Sequence, residues 1–314
     1  MPQQQCVDAV LMIRPAAFDY NPETAGTNAL QRPPASGGSA QPLARAEFDA
    51  CVGSLRSEGI RVCVIEDTAQ PAKPDAVFPN NWVSFHADGT VVLYPLQAAN
   101  RRLERRQDAV DRVASELGFT VRRVLDLTAH ETRGRYLEGT GSLVLDHVQR
   151  VAYACRSPRT HPEVVAEWSR EMGYEPVLFE ARGRDGVPFY HTNVMLSIGS
   201  RAAVAALAAV DGHDRSRVAQ RLAAAGRELI EIDQEAVSCF AGNMLELASW
   251  DEALGDVSVL VMSASARGAL PAATFARLSA CVDSILVVPV PTIEHLGGGS
   301  VRCMLAEVPV QPGR

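Results

Sequence analysis

The chain predicts a closed α/β fold built from five repeated modules, and three observations carry that prediction. Short apolar, strand-like runs follow small or amide residues at five places. Aligned on Asn81, Gly141, Asn193, Asn243 and Cys303, those places recur at spacings of 60, 52, 50 and 60 residues. Helix-like stretches lie between them. A repeat of about fifty to sixty residues, each unit carrying strands and one helix, is the signature of a radially repeated architecture. Five modules around one axis bring the aligned positions to a common mouth, so Glu138, His191 and Cys303 meet although they are far apart in sequence.

The elements follow in chain order. The apolar run Ala9–Ile13 reads as the first strand, being too short for a signal peptide or a membrane span. Residues Arg32–Pro42, rich in Pro, Gly, Ser and Ala, read as a linker or surface loop, with a cover over the mouth as the alternative. The helical stretches are Gln97–Gly118, whose Leu103, Val110, Val113 and Leu117 form a stripe of helical period, then Pro162–Gly173, Asp214–Gly226 and Leu270–Asp283. Each aligned position precedes four or five residues with strand character, such as Trp82–Phe85 and Ser142–Leu145. No domain boundary is signalled, so residues 1–314 read as a single catalytic domain.

Composition narrows the function. With 47% apolar residues, 314 residues can fill a large core, and a net charge of −7 argues against nucleic acid or an anionic membrane as partner. Seven cysteines, an odd number with no CxxC pair, read as reduced thiols in a cytoplasm. The seven histidines make no HxH, HxxxH or HExxH pattern, and no Cys/His group has zinc spacing, so no metal is expected. No Walker loop is present and Gly297–Gly299 do not fit GxGxxG, so no cofactor is expected either. A small molecule is the expected partner, with a homo-oligomer left open.

The chemistry centres on Gly297-Gly298-Gly299-Ser300-Val301-Arg302-Cys303, a glycine run that delivers one thiol to the start of an apolar strand, where a substrate can reach it. A cysteine nucleophile needs a base or cationic neighbour and a proton donor for its leaving group. His191, between Tyr190 and Thr192, fits that role, and Glu138, in a glycine-flanked turn, fits as the carboxylate that orients it. Such a carboxylate is expected to raise the histidine pKa and keep the ring charged. The run Arg101-Arg102-Leu103-Glu104-Arg105-Arg106 reads as the solvated face of a helix start; the alternative is that one arginine grips an anionic substrate group.

These residues resemble a known group of enzymes. Asp75-Ala76-Val77-Phe78-Pro79-Asn80-Asn81-Trp82, Leu137-Glu138-Gly139-Thr140-Gly141-Ser142, Tyr190-His191-Thr192-Asn193, Phe240-Ala241-Gly242-Asn243-Met244-Leu245 and Gly297–Glu307 together look like the guanidino-group-modifying superfamily of arginine deiminases, dimethylarginine hydrolases and amidinotransferases. The likeness is greatest to bacterial citrulline-utilisation hydrolases, a subgroup that the N-terminal Arg14-Pro15, Asn21-Pro22, Thr24, Asn28 and Gln31 also fit. The resemblance implies a pentein-type, five-bladed, pseudo-fivefold α/β propeller. It implies Cys303 as nucleophile, His191 as general acid/base and Glu138 as its orienting partner. It further implies Asp75 as the acidic residue on the substrate's planar head group, Phe78 as its packing neighbour, and Arg102 and Arg159 as holders of the substrate α-carboxylate.

The departures from the family pattern carry chemistry of their own. Members that act on a cationic guanidinium have aspartate where this chain has Asn81, and arginine deiminases have His-x-Asp where it has His191-Thr192-Asn193. A guanidinium leaves charge unpaired when its carboxylate partners become amides. A neutral ureido group offers a carbonyl oxygen to which an amide NH2 donates. The expectation is therefore a citrulline hydrolase giving ornithine, ammonia and carbon dioxide, with Asn81 and Asn193 facing the head group. The alternatives are an arginine deiminase or dimethylarginine hydrolase, an amidinotransferase, and a non-catalytic amino-acid-binding propeller.

Overall fold

The computed structural model describes residues 4–34 and 39–310. It contains five three-stranded sheets of one pattern: an antiparallel pair followed by a third strand parallel to the second. In chain order they are Val83–Phe85 with Thr90–Leu93 and Arg123–Asp126; Val144–Asp146 with Val151–Cys155 and Glu175–Phe179; Leu196–Ile198 with Ala202–Ala205 and Glu228–Glu231; and Leu245–Asp251 with Gly255–Ser263 and Ser284–Val288. The remaining sheet joins the two ends of the chain, since Ala306–Glu307 pairs antiparallel with Ala9–Arg14, which pairs parallel with Arg61–Glu66. Every parallel pair needs a crossover, and helices supply it.

Local chemistry sets the helix limits. In Pro162–Met172, proline occupies the first turn, the His161 ring accepts the Glu163 N–H, and Gly173 in the left-handed region (φ 68°) ends the helix. Its inward stripe of Val164, Val165, Trp168 and Met172 is buried, so Trp168→Ala would cost about 3–5 kcal/mol. The expected helix at Asp214–Gly226 instead runs Gly212–Ala223, because the Asp211 carboxylate caps it by accepting from His213 N–H. The expected Gln97–Gly118 helix is broken: a 3-10 turn spans Asn100–Glu104, Arg105 and Arg106 are extended, and the helix proper is Gln107–Leu117. Leu103 thereby leaves the stripe and is exposed. The stretch expected as Leu270–Asp283 is helical over Ala272–Ala280, behind a separate short helix Ala264–Ala269.

Of the loop expected at Arg32–Pro42, residues 35–38 lie outside the described residues, and Pro42 already belongs to the helix Gln41–Ser57. Its start is tied down, with Arg32 N–H donating to the His295 carbonyl at 2.8 Å.

The five aligned positions do occupy equivalent ends. Asn81, Gly141, Asn193 and Cys303 sit in short helical turns (Pro79–Asn81, Gly139–Ser142, Thr192–Val194 and Val301–Met304), and Asn243 follows a turn closed by its N–H to the Phe240 carbonyl. Each turn feeds the first strand of its sheet. Two glycines let these turns approach. A Cβ on Gly139 (φ 48°) would lie 2.1 Å from the Asn80 carbonyl oxygen, and one on Gly141 would lie 2.5 Å from Asn81 Nδ2 and 2.8 Å from His191 Nδ1.

Candidate active site

Cys303 is set by what precedes it. Glu47, on the helix Gln41–Ser57, accepts from the Thr292 and Ile293 N–H groups and so caps the helix Pro291–Gly297. At the far end, Glu294 receives the hydroxyls of Ser265 (2.5 Å) and Ser300 (2.6 Å), and the Ser300 carbonyl accepts from Cys303 N–H. The thiol lies 3.4 Å from Asn243 Nδ2 and 3.7 Å from Asn193 Nδ2. It is only 3% exposed, so the accessible thiol expected from the glycine run is instead buried. Burial pushes its pKa up, against the opposing pull of the Ser300 backbone bond and the Asn243 amide. Phe78 packs against this loop: a Cβ on Gly297 or Gly299 would meet its ring at 2.8–2.9 Å.

Glu138 and His191 are brought together as expected. Glu138 Oε2 accepts from His191 Nε2 at 2.8 Å, and Oε1 accepts from the Gln97 N–H at 3.0 Å. Since the carboxylate takes Nε2–H, the neutral ring has its lone pair on Nδ1, beside Gly141. The expected charged imidazole is corrected. Burial, with help from Arg159 and Arg101, outweighs the Glu138 bond and lowers the His191 pKa to about 4. Burial also works against the Glu138 carboxylate. There the Arg159 guanidinium, the His191 bond and Arg101 reverse it and hold the group well below the usual carboxylate range.

The two arginines expected at the substrate carboxylate lie in different places. Arg159 enters the site, 3.4 Å from Glu138, and also donates to the Thr24 carbonyl and the Thr27 hydroxyl. Arg102 does not. Its side chain is about one-third exposed and bonds the Leu96 and Gln97 carbonyls and Glu131. Arg101 takes the inward place, forked onto Glu104 at 2.9 Å through Nε and a terminal nitrogen, and donating to Asn81 Oδ1 at 2.8 Å. A 3-10 turn stacks residues three apart, so Arg101 and Glu104 share one face while Arg102 turns outward; the unbroken helix expected from the sequence hides that signal.

Asp75 is buried, 3.7 Å from Arg101, and its Oδ2 receives Asn21 Nδ2 (2.7 Å) and the Thr24 hydroxyl (3.3 Å). Burial raises its pKa against these partners. Asn28 Nδ2 bonds the Gly297 and Gly298 carbonyls, so the segment around Asn21–Gln31 spans from Asp75 to the cysteine loop. The buried side-chain polar atoms without a hydrogen-bond partner include Asp75 Oδ1, Asn81 Nδ2 and both polar atoms of Asn80, with others elsewhere in the fold. Unpaired buried polar atoms are uncommon, and those of Asp75, Asn80 and Asn81 supply both a donor and acceptors within one short segment. Among the described residues, no three His, Cys, Asp or Glu are grouped to hold a metal, and no helix is long and apolar enough to cross a membrane.

A buried thiol and a carboxylate-held histidine, framed by five like sheets, accord with what the family match shows, a hydrolase of non-peptide carbon–nitrogen bonds within the guanidino-group-modifying superfamily. The chain belongs to the family described as N,N dimethylarginine dimethylhydrolase, eukaryotic, whose model matches residues 14–310. No curated protein matches it. Among solved structures it is similar to the substrate-bound N-terminal domain of ArgZ, an arginine dihydrolase of the ornithine–ammonia cycle in Cyanobacteria. That match has a TM-score of 0.71 and 17% identity, covering 96% of this chain and 99% of that one. It is also similar to AgrE in complex with L-arginine (0.72, 17%, 97% of this chain and 41% of that one). A third is a dimethylarginine dimethylaminohydrolase adduct (0.62, 15%, 96% and 99%). The family match favours the guanidino-acting alternative over the citrulline reading.

Proposed function

We propose that this chain hydrolyses a C–N bond at the planar head carbon of an arginine-type amino acid, and that the polar groups of Asp75 and Asn81 suit the ureido group of citrulline best. The observation that carries the reading is that one segment, residues 75–81, holds both a buried, unpartnered donor, Asn81 Nδ2, and a buried, unpartnered acceptor, Asp75 Oδ1. A ureido group has both a carbonyl and N–H groups, so it complements both atoms.

In this reading Cys303 gives its proton to the neutral His191 and its sulfur adds to the ureido carbon. The carbonyl becomes an oxyanion facing amide N–H groups, with Asn81 and Asn193 as the donors. The adduct collapses as His191 returns the proton to the departing nitrogen, leaving an S-linked carbonyl. Water, giving a proton to His191, attacks that carbonyl and breaks the S–C bond, the proton passing back to the Cys303 sulfur. The carbamate released then loses its remaining amine and leaves as carbon dioxide. The sum is citrulline plus water to ornithine, ammonia and carbon dioxide. Glu138 keeps the His191 ring in the tautomer that can accept. Arg159 is the remaining candidate holder of the substrate carboxylate. The five like sheets support a five-bladed, pseudo-fivefold propeller formed by residues 1–314 as one domain.

A second reading is hydrolysis of a guanidino group, of arginine or a methylated arginine. The family match and the arginine-binding neighbours favour it, and the buried Asp75 carboxylate supplies one anionic partner. The test offers citrulline, arginine and dimethylarginine in parallel to the purified protein and to Cys303→Ala, following ornithine, citrulline and ammonia. Ornithine from citrulline, lost in the variant, is the expected result. Citrulline formed from a guanidino compound, with added citrulline inert, selects the second reading.

A further inference from the structure

We infer that Asn243 is a further catalytic residue, an amide donor that holds the Cys303 sulfur while it carries charge. The inference rests on the hydrolase reading above. Asn243 is fully buried, and its Nδ2 lies 3.4 Å from the sulfur. Both ends of the amide reach the thiol, since Oδ1 is 3.7 Å away. A second bond settles which end faces where. Nδ2 also donates to the Asn193 carbonyl at 2.9 Å, and a carbonyl accepts but cannot donate, so the nitrogen lies on that side. One N–H serves Asn193 and the other is left for the sulfur. At rest the thiol proton can bond to Oδ1. Once that proton is gone, only the nitrogen end attracts the sulfur.

The turn that carries Asn243 is shaped for this contact. The short helix Gln234–Ser238 ends, and Phe240 follows in the left-handed region (φ 63°), a place that usually falls to glycine or asparagine. Bulky residues held in that region concentrate at functional sites. The Phe240 N–H donates to the Val237 carbonyl and the Phe240 carbonyl accepts from the Asn243 N–H, both at 2.8 Å, which folds the chain back on itself. Gly242 then packs tightly on the neighbouring turn. A Cβ there would lie 2.5 Å from the Val194 carbonyl oxygen and 2.8 Å from the Met195 backbone. The left-handed phenylalanine and the close approach together bring one neutral amide to the sulfur.

A neutral donor suits the chemistry proposed. Among the described residues no cationic side chain hydrogen-bonds the sulfur. Burial pushes the thiol pKa up, and the Ser300 backbone bond and the Asn243 amide oppose it. The attacking form is nevertheless the thiolate. Its proton passes to His191, and the sulfur is charged until it bonds the head carbon and again when that bond breaks. Asn243 stabilises the sulfur at both moments without placing a permanent charge beside it.

The test follows alkylation of Cys303 by iodoacetamide against pH, without substrate, in the wild type, Asn243→Ala and Asn243→Asp, read by peptide mass spectrometry. Loss of one hydrogen bond to a charged group should move the alkylation profile up by about one pH unit or more in Asn243→Ala. The thiolate fraction then falls about tenfold, and the greater nucleophilicity of the more basic sulfur returns about threefold, so the rate drops about threefold. Asn243→Asp, with a carboxylate beside the sulfur, should react more slowly still. A role in packing alone would loosen the site in these variants and speed the reaction instead. Alkylation at the wild-type rate or faster in a folded variant overturns the inference. If the variants do not fold, or the wild-type thiol does not react, nuclear magnetic resonance of the Asn243 side-chain amide decides. One of its two protons should shift between the wild type and Cys303→Ala, and two unmoved protons overturn the inference. A wild type inert toward citrulline, arginine and dimethylarginine, whose alkylation still slows on loss of Asn243, sinks the hydrolase reading and keeps Asn243 as the sulfur's donor.

Discussion

Along one wall of the site, Asp75, Arg101, Glu104, Glu138 and Arg159 form a buried chain of ion pairs at 2.9–3.8 Å. Along the other, the Cys303 sulfur lies among the amides of Asn193 and Asn243, with no charged side chain bonded to it among the described residues. The first wall fixes charge where it orients groups, with each ion compensated by neighbours. The second keeps the reacting sulfur neutral at rest, because burial raises the thiol pKa and lowers that of His191. The site therefore rests uncharged at its two proposed proton-transfer groups, and its permanent charges lie one layer behind them.

The largest effect should come from the neutral wall. Cys303→Ala is expected to lower turnover about a thousandfold or more while leaving the fold intact, measured by product release and by circular dichroism. Breaking the charged wall should cost both activity and stability. Glu138→Gln leaves Arg159 and Arg101 short of a buried counter-charge, so about 3–5 kcal/mol of stability should be lost in urea unfolding, and kcat should fall about a hundredfold or more.

Acid should act through the same contrast. His191 is ordinarily half-protonated near 6.5, and the folded protein lowers this to about 4. The unfolded chain thus binds the extra proton in that window. The stability from the neutral ring is complete above pH 6.5 and is lost as pH falls from 6.5 toward 4, about 3 kcal/mol in all. Urea midpoints for the wild type should fall across this range, and His191→Gln should flatten the slope. Smaller still, Asn243→Ala removes the amide bond to the Asn193 carbonyl and one thiol contact, for about 1–3 kcal/mol. Last, Arg102→Ala should change KM and stability little, within about 1 kcal/mol, since its ion pair is partly exposed. A large KM effect there would overturn the assignment of the inward place to Arg101.

Periodicity made the modules legible, because strands and helices repeat at a spacing that turn residues mark. It placed Asn81, Gly141, Asn193, Asn243 and Cys303 at equivalent ends, and it brought Glu138 to His191. It could not separate Arg101 from Arg102, because that choice depends on a 3-10 turn of five residues inside a stretch that reads as one helix. The His191 pKa was legible only in part. The carboxylate neighbour was visible in the sequence, but burial on all sides, which outweighs it, is a property of the assembled site. Asn243 stood in the repeat without showing that its amide would reach the sulfur.

The most direct test of the account is peptide mass spectrometry on protein quenched during turnover of citrulline carrying an isotope label at the ureido carbon. The account predicts a labelled acyl adduct on the Cys303 peptide that decays as ornithine appears. No labelled adduct from citrulline, with labelled arginine instead modifying Cys303, would contradict it.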